Sequence, residues 1–344
     1  MVLKTNPQQA MPLQNINKSV LLDMKECLVA GLQSTPKTMP SLLLWDSQGL
    51  RNFDAWTNAP DYYPKRCEWE ILKSHGQDIA SQFPASSVIV ELGCGNLSKT
   101  AWLLAALDRQ ERQVYYYALD VSDEALHKSL GGLRKQFAGS EFVTIAGLSG
   151  TYDDCAAWLA ASASLPGSAI TFLWLGNSVA NMGRDTVSAL LGKLRQACRD
   201  MAADCSFLVS ADCCADRGRI LRAYDYAAGP SRTFLFHGLH HANRLLGKPV
   251  FNEDDWDAVP EWDEAEHELR YDYAPRKDML LNLGSRRSVE VKRGERIPFF
   301  MSAKWDTSQV QSMAEKAGFA VGKLWQDARK EYGEREARSD VDHS

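Results

Sequence analysis

The chain has 344 residues, 45% of them hydrophobic, which is enough for a packed core in one large or two modest domains. Its formal charge of −5 gives no basic field for binding nucleic acid or an anionic membrane surface. No segment approaches the roughly 18 apolar residues of a membrane span, and the first residues lack the apolar part of a signal peptide. We therefore expect a soluble, cytoplasmic, monomeric protein that acts on a small molecule, without a nucleic-acid or membrane partner.

The first part of the chain predicts helices. Apolar residues recur at helical spacing over residues 18–32, TPKTMP then breaks the pattern, and SLLLWD resumes as a short apolar segment. Residues 67–83 predict an amphipathic helix that leads into the strand SVIVELG. Strand and helix patterns then alternate through residues 86–212. Because parallel strands need crossover connections, this alternation predicts a doubly wound α/β core with a parallel sheet.

After Asp212 the pattern changes. Residues 217–247 predict helix, and four later segments, EHELRYDYAP, MLLNLG, RSVEVKRG and RIPFFMSAKW, predict antiparallel strands. We interpret residues 213–300 as an insertion that packs with residues 1–68 into a second, α+β domain. Residues 306–327 predict a helix and a strand that return to the core of residues 69–212 and 301–344, and the charged tail over 331–344 predicts a frayed end.

Cysteine and histidine spacing gives no metal signature. The eight cysteines include no CxxC pair, which predicts reduced thiols. His237, His240 and His241, in FHGLHH, have the spacing of a helix face, but no carboxylate or cysteine stands at ligand spacing beside them. We interpret them as a polar helix surface and expect no metal ion.

The segment VIVELGCGNLSKT, residues 88–100, predicts a strand, a glycine turn and a helix. Gly93 and Gly95 would allow the backbone to approach a ligand at the carboxyl ends of the strands. Ser98 replaces the third glycine of the dinucleotide fingerprint, so a nicotinamide cofactor or a merely connecting turn stays open. Asp120 ends the next strand, where a carboxylate can accept hydrogen bonds from ribose hydroxyls. With Glu91, the sequence E-L-G-C-G resembles motif I of S-adenosylmethionine-dependent methyltransferases of Rossmann type.

Seven segments resemble one family more specifically. They occur in the order found in the histidine Nα-methyltransferase of ergothioneine biosynthesis, whose fungal relatives act on 4-dimethylallyltryptophan or L-tryptophan. The resemblance extends from about Leu32 to Trp325. It implies S-adenosylmethionine as cofactor, a Rossmann-like methyltransferase core and a second, substrate-binding domain. The segments are STPKTMP, LLLWDSQGLRNF, APDYYPKR, ELGCGNLSKT, LWLGNSVANM, RAYDYAAGP and MSAKW.

The resemblance implies a set of methyl-donor residues. It implies that Asp120 binds the ribose and that Thr151 and Tyr152 line the adenine, although Thr151 replaces an acidic residue common at that position. Gly176 is implied to lie near the reacting methyl group. Together with the glycine turn, the expected cofactor-binding residues are Glu91, Gly93, Gly95, Lys99, Asp120, Thr151, Tyr152 and Gly176.

The resemblance also implies a substrate pocket with Phe300 where histidine-specific members carry a glutamate that hydrogen-bonds the imidazole. Losing such a charge-assisted bond costs roughly 1.5–3 kcal/mol, whereas an aromatic pair gains roughly 0.5–1.5 kcal/mol beyond its area burial. Phe300 therefore favours an indole amino acid. The implied catalytic residues are Tyr62, Asn181 and Tyr224, and the implied substrate-binding residues are these three with Trp45, Phe300 and Ser302.

These features together predict an enzyme that methylates the α-amine of L-tryptophan, once and then a second time. Trp45 stands where the family usually has a tyrosine near the amine, which leaves the number of methyl groups open. The segment ELGCGNLSKT resembles the histidine enzymes more than the 4-dimethylallyltryptophan branch, which favours free tryptophan. The alternatives are a 4-dimethylallyltryptophan, histidine or tyrosine methyltransferase, and a non-catalytic relative, which Thr151 and Trp45 would permit.

Overall fold

A computed structural model describes residues 13–17, 23–162, 165–167, 169–225, 229–284 and 287–339. The chain divides into two compact units. The first contains residues 1–18, 64–214 and 305–344, and the second contains residues 19–63 and 215–304.

The described residues form these strands, in chain order: β1 (Leu13–Asn15), β2 (Ser87–Leu92), β3 (Val114–Asp120), β4 (Val143–Ser149), β5 (Ala169–Trp174), β6 (Asp204–Asp212), β7 (Trp256–Asp263), β8 (Glu268–Pro275), β9 (Met279–Gly284), β10 (Arg287–Val291), β11 (Ile297–Ala303), β12 (Phe319–Gln326) and β13 (Tyr332–Ser339). They form these helices: α1 (Met24–Gln33), α2 (Ser47–Thr57), α3 (Tyr63–Ser81), α4 (Ser98–Arg109), α5 (Asp123–Gln136), α6 (Tyr152–Ala161), α7 (Arg184–Asp200), α8 (Arg217–Ala223), α9 (Pro230–Leu246) and α10 (Thr307–Lys316).

The first unit is organised by one sheet with the strand order β1-β4-β3-β2-β5-β6-β13-β12. Strands β1 to β6 pair in parallel, and β13 pairs antiparallel with both β6 and β12. Strand β2 is buried along its whole length, as expected for a strand covered on both faces. The doubly wound core predicted from the alternation is therefore confirmed. The strand order reverses between β2 and β5, so ligands are expected at the carboxyl ends of these two strands.

The two ends of the first unit differ from the sequence expectations. Residues 13–15 belong to this unit, whereas the sequence boundary grouped them with the second domain, because β1 pairs in parallel with β4. The frayed tail is wrong for residues 332–339, which form β13 inside the sheet. Its charged residues Glu334 and Arg335 are buried, and Arg335 Nη2 donates to the Thr307 hydroxyl of α10 at 3.0 Å on the face of the sheet. Residues 340–344 lie outside the described part.

The second unit is α+β. Strands β7, β8 and β11 form an antiparallel sheet in the order β11-β8-β7, and β9 pairs with β10. The four strands predicted after residue 265 are confirmed as β8 to β11. Strand β7 was not predicted, because Pro260 interrupts a segment that lacks clear alternation.

The helices of the second unit also differ in detail from the predictions. Helix α2 was not predicted, and it begins at the N-cap Asp46, whose carboxylate accepts a hydrogen bond from the Gly49 backbone. Residues 217–247 form α8 and α9, of which α9 starts with Gly229 and Pro230, while residues 226–228 lie outside the described part. The predicted helix over 18–32 is confirmed from Met24, and residues 18–22 are not described. Within the described ranges, no helix has the length and apolar character needed to cross a membrane.

Candidate active site

The glycine turn follows β2 at the point where the strand order reverses. Gly93 and Gly95 have φ angles of 73° and 56°, which lie in the left-handed region that favours glycine. A Cβ atom at Gly93 would lie 2.9 Å from the Tyr152 hydroxyl, so the structure brings these two residues together. A Cβ atom at Gly95 would meet open space, which leaves this part of the backbone accessible to a ligand.

Asp120 ends β3 next to this turn. Its Oδ2 accepts a hydrogen bond from the Gly95 backbone at 3.2 Å, and its Oδ1 accepts one from the Ser122 backbone at 3.2 Å. Burial raises the pKa of Asp120, although the backbone hydrogen bonds act in the opposite direction. The Cys94 thiol also donates to Oδ2 in a long, weak bond of 3.9 Å, which a hydroxyl of a ribose would replace.

Glu91 lies inside the protein and contacts other protein side chains. Its carboxyl group accepts hydrogen bonds from the Thr100 hydroxyl at 2.7 and 2.8 Å and from the Tyr116 hydroxyl. Burial raises the pKa of Glu91 to about 7, although these hydrogen bonds lower it in part. Through these contacts Glu91 links β2, β3 and α4 behind the turn.

Thr151 and Tyr152 begin α6. The Thr151 hydroxyl accepts a hydrogen bond from the Asp154 backbone, and the Asp154 carboxylate accepts one from the Thr151 backbone, which forms a capping box. The side chain of Thr151 therefore caps the helix. The Tyr152 ring packs edge-to-face on Trp174 with a centroid distance of 5.4 Å, and burial raises its pKa well above the ordinary tyrosine value.

Lys99 and Gly176 meet at Glu68, a residue that the sequence reasoning missed. Lys99 Nζ lies 2.5 Å from Glu68 Oε2, and the Gly176 backbone donates to Glu68 Oε1 at 2.7 Å. A Cβ atom at Gly176 would lie 3.0 Å from Lys99 Nζ. The only sequence signal for Glu68 was its place within the amphipathic segment CEWEILK. Asn181 ends a 3-10 helix, Ser178–Asn181, a few residues after Gly176.

An aromatic cluster lies within the second unit and brings four of the expected substrate residues together. Trp45 packs on Phe234 at 5.2 Å, and Phe234 packs on Phe300 at 6.1 Å. Tyr62 and Tyr224 lie 5.8 Å apart. The sequence reasoning missed three rings that connect these residues, although Phe53 and Trp56 stand three positions apart, the spacing of one helix face. We define the aromatic cluster as Trp45, Phe53, Trp56, Tyr62, Tyr224, Phe234 and Phe300.

Polar groups adjoin this cluster at Tyr224. The Tyr224 hydroxyl lies 3.0 Å from the Ser302 hydroxyl, and Lys304 Nζ donates to both oxygens at 3.0 and 2.8 Å. Lys304 is buried, and its ammonium group lies 4.3 Å from the Tyr224 ring centroid. The sequence reasoning missed Lys304, although it stands in the segment MSAKW. Because Lys304 donates to both hydroxyl oxygens, this group places a positive charge beside the two hydroxyls, which favours an anion there.

The histidines of α9 are only partly a polar surface. His240 is exposed, but His237 is buried, and its Nε2 lies 2.6 Å from Asp46 Oδ1. Asp46, His237 and His241 lie close enough to hold a metal ion, but the Arg244 guanidinium pairs with Asp46 Oδ2 at 2.5 Å. Burial would raise the pKa of Asp46, but hydrogen bonds from His237 and the Gly49 backbone hold it well below its usual range. The Arg244 guanidinium therefore supplies a positive partner to this carboxylate.

The strand order of the first unit and its glycine turn are those of a Rossmann-like, S-adenosylmethionine-dependent methyltransferase. The model of the family "Histidine-specific methyltransferase, SAM-dependent" matches residues 24–339. The chain belongs to this family, and it is an enzyme that uses S-adenosylmethionine.

Relatives along nearly the whole chain are fungal N-methyltransferases. The chain is 38% identical to N-methyltransferase dtpB of Aspergillus flavus over 90% of its own length and 87% of the relative. It is 39% identical to N-methyltransferase benX of Aspergillus terreus, with the same shares covered. It is 31% identical to the 4-dimethylallyltryptophan N-methyltransferase easF of Claviceps purpurea, over 92% and 95% of the two chains. Among solved structures, the match to magnesium protoporphyrin IX methyltransferase from Synechocystis PCC 6803 covers 86% of this chain and 95% of that chain at 12% identity. Its TM-score of 0.41 adds nothing to the assignment.

The residues around the glycine turn fit this cofactor. Asp120 places a carboxylate at the end of β3 beside the turn, Gly95 leaves open space beside the backbone, and Tyr152 presents a ring beside Gly93. A ribose needs a hydrogen-bond acceptor, the glycine turn needs open space where its backbone approaches the ligand, and an adenine needs a ring to pack against. The individual roles of the cofactor-binding residues stay predictions.

Proposed function

We propose that the protein transfers methyl groups from S-adenosylmethionine to the α-amine of L-tryptophan, first one and then a second. The observation that carries this proposal is Phe300 within the aromatic cluster. Its ring is buried and packs against Phe234 and Tyr271, each at a centroid distance of 6.1 Å. An aromatic side chain such as indole buries roughly 150–250 Å² and gains from ring pairs of this kind.

The same position disfavours histidine as substrate. An imidazole N–H that is buried against Phe300 lacks the acceptor that a glutamate would offer there. A buried donor without an acceptor costs about 1–3 kcal/mol, or roughly 5- to 150-fold in affinity. We therefore expect histidine to be a poor substrate.

The polar group at Tyr224 suits the carboxylate of the amino acid. Lys304 donates to the oxygens of Tyr224 and Ser302, so an anion next to these hydroxyls is favoured. In this proposal, Tyr224 holds the carboxylate, and Tyr62 lines the pocket. S-adenosylmethionine supplies an electrophilic methyl group on a sulfonium, and the protein must hold the amine deprotonated and in line. Orientation of this kind can contribute roughly 7–11 kcal/mol to catalysis.

One second candidate has specific support. The relative from Claviceps purpurea, 31% identical over most of both chains, is named for 4-dimethylallyltryptophan. A prenylated indole would also find apolar partners in the aromatic cluster. It would need additional room beside the indole.

The test is a substrate panel with the purified protein. S-adenosylmethionine is combined separately with L-tryptophan, 4-dimethylallyl-L-tryptophan, L-histidine, L-tyrosine and tryptamine, and product masses are read. We expect tryptophan to gain one and then two methyl groups, with histidine and tryptamine inert. Turnover of the prenylated substrate alone supports the second candidate, and strong histidine turnover contradicts the argument from Phe300.

A further inference from the structure

A buried carboxylate connects two elements of the expected methyl-donor site. Glu68, on α3, is 1% exposed. It accepts hydrogen bonds from Lys99 Nζ at 2.5 Å, from the Gly176 backbone at 2.7 Å and from the Ser210 hydroxyl at 3.0 Å. These donors come from α4, from the turn after β5 and from β6. Three donors around one carboxylate offset the cost of burying its charge.

The geometry fixes Lys99 relative to the backbone of Gly176. Both Glu68 oxygens are used, Oε2 by the ammonium group and Oε1 by the backbone N–H and the hydroxyl. Lys99 Nζ therefore lies beside the position that a Cβ of Gly176 would take, at 3.0 Å. A lysine is a flexible point charge with many rotamers, so such a partner determines where its charge lies.

We propose that Glu68 is a positioning residue for S-adenosylmethionine, which holds the Lys99 ammonium and the Gly176 turn in the arrangement that the donor binds. The inference rests on the donor-binding role expected for Lys99 and Gly176 and does not depend on which amino acid is methylated. Glu68 acts through these two groups and has no direct role in the chemistry.

A second buried carboxyl group provides a matched control. Glu334, on β13, is fully buried, and neither of its carboxyl oxygens has a hydrogen-bond partner among the described residues. Burial, together with the negative charge of Glu68, raises its pKa well above the usual range. Glutamine has nearly the shape of glutamate, and because neither Glu334 oxygen takes part in the hydrogen bonds of Glu68, its exchange leaves that network in place.

The experiment measures the affinity for S-adenosylhomocysteine by isothermal titration calorimetry, so it needs no amino-acid substrate. The variants are E68Q, K99M, the double variant E68Q/K99M and the control E334Q. We expect E68Q and K99M each to weaken binding by roughly 10- to 150-fold, the range for one charge-assisted hydrogen bond. The double variant should lose less than the product of the two single losses, because the part of the Glu68 effect that acts through Lys99 is already absent in K99M. E334Q should stay within about twofold of the parent protein, since the three hydrogen bonds of Glu68 stay in place.

Steady-state kinetics add a second readout. E68Q should raise the KM for S-adenosylmethionine while the KM for the amino acid changes little. If E68Q does not fold, as judged by circular dichroism, E68D replaces it. The shorter side chain draws the carboxylate away from Lys99 or Gly176, so donor affinity should fall and the KM for S-adenosylmethionine should rise, as in E68Q.

Several results would overturn the proposal. They are unchanged or tighter binding by E68Q, independent losses that multiply in the double variant, or a parallel rise of both KM values. Unchanged binding by K99M would remove the expected role of Lys99 and the proposal with it. Tryptophan specificity would be unaffected by any of these results, since product masses measure it separately.

Discussion

The exchange of Phe300 for glutamate tests the specificity argument directly. Phe300 lies on β11 opposite Tyr271 and is 7% exposed, so a new carboxylate would face the rings that Phe300 contacts now. The variant loses two ring pairs, with Phe234 and Tyr271, at roughly 0.5–1.5 kcal/mol each. We therefore expect the free energy of unfolding to fall by at least about 1–3 kcal/mol, because the lost ring burial and the buried carboxylate add to this sum.

The exchange should change kcat/KM for histidine and for tryptophan in opposite directions. A carboxylate that accepts the imidazole N–H of histidine gains roughly 1.5–3 kcal/mol, which corresponds to about a 10- to 150-fold rise in kcat/KM for histidine. Tryptophan loses a ring contact and meets a charge, so its kcat/KM should fall by about tenfold or more. The ratio of the two kcat/KM values, measured by product mass under competition, is the most sensitive readout.

The matched control is F300Q, which has the shape of glutamate without its charge. F300Q should lose tryptophan activity to a similar extent but gain less histidine activity, because a neutral acceptor forms a weaker bond. A folded F300E protein that keeps its preference for tryptophan would refute the reasoning. So would equal histidine activity in F300E and F300Q.

Three further predictions concern the cofactor turn and the stability of the fold. D120A should bind S-adenosylhomocysteine at least about tenfold more weakly in calorimetry, since the carboxylate fixes the turn and is expected to accept the ribose hydroxyls; unchanged affinity would contradict this cofactor position. The pKa of Glu91 is raised to about 7, so its contribution to the free energy of unfolding is full below the unfolded pKa of about 4.3 and is lost as the pH rises to 7. E91Q should therefore flatten the fall in urea-unfolding free energy between pH 5 and pH 7, and equal slopes in the two proteins would contradict the shift. Y271F removes a buried hydroxyl that donates to the Tyr224 carbonyl and should cost about 1–3 kcal/mol in urea unfolding; a loss below 0.5 kcal/mol, on the order of a surface substitution, would contradict this.

The core could be predicted from the sequence because its signals are local. Each buried strand from β2 to β6 is a short apolar run followed by a helical pattern, and neither needs distant residues to be recognised. Strand β13 lacks such a signal. Its residues Glu334, Arg335 and Glu336 resemble a solvated tail, and only their pairing with β6, more than a hundred residues earlier, buries them.

The candidate site shows the same division between local and distant signals. The glycine turn and Asp120 stand in a motif whose spacing is set by one strand, one turn and the next strand. Glu68 and Lys304 carry no such spacing, because their roles depend on hydroxyls, backbone groups and charges from other parts of the fold. A charged residue within an amphipathic pattern is usually solvated, so its burial cannot be deduced from the sequence alone.

The expected cofactor residues and the aromatic cluster belong to different units of the chain, and this allows a test of their independence. Asp120 lies in the first unit and Phe300 in the second. The ratio of kcat/KM for two amino acids contains no contribution from donor affinity, because the donor is common to both reactions. D120A should therefore weaken donor binding and leave the tryptophan-to-histidine ratio of kcat/KM unchanged. F300E should change that ratio and leave donor binding unchanged. In the double variant the two effects should add in free energy within about 0.5 kcal/mol. A selectivity ratio that changes in D120A would show that the cofactor turn takes part in the choice of amino acid, and the argument for Phe300 as the determinant of specificity would then fail.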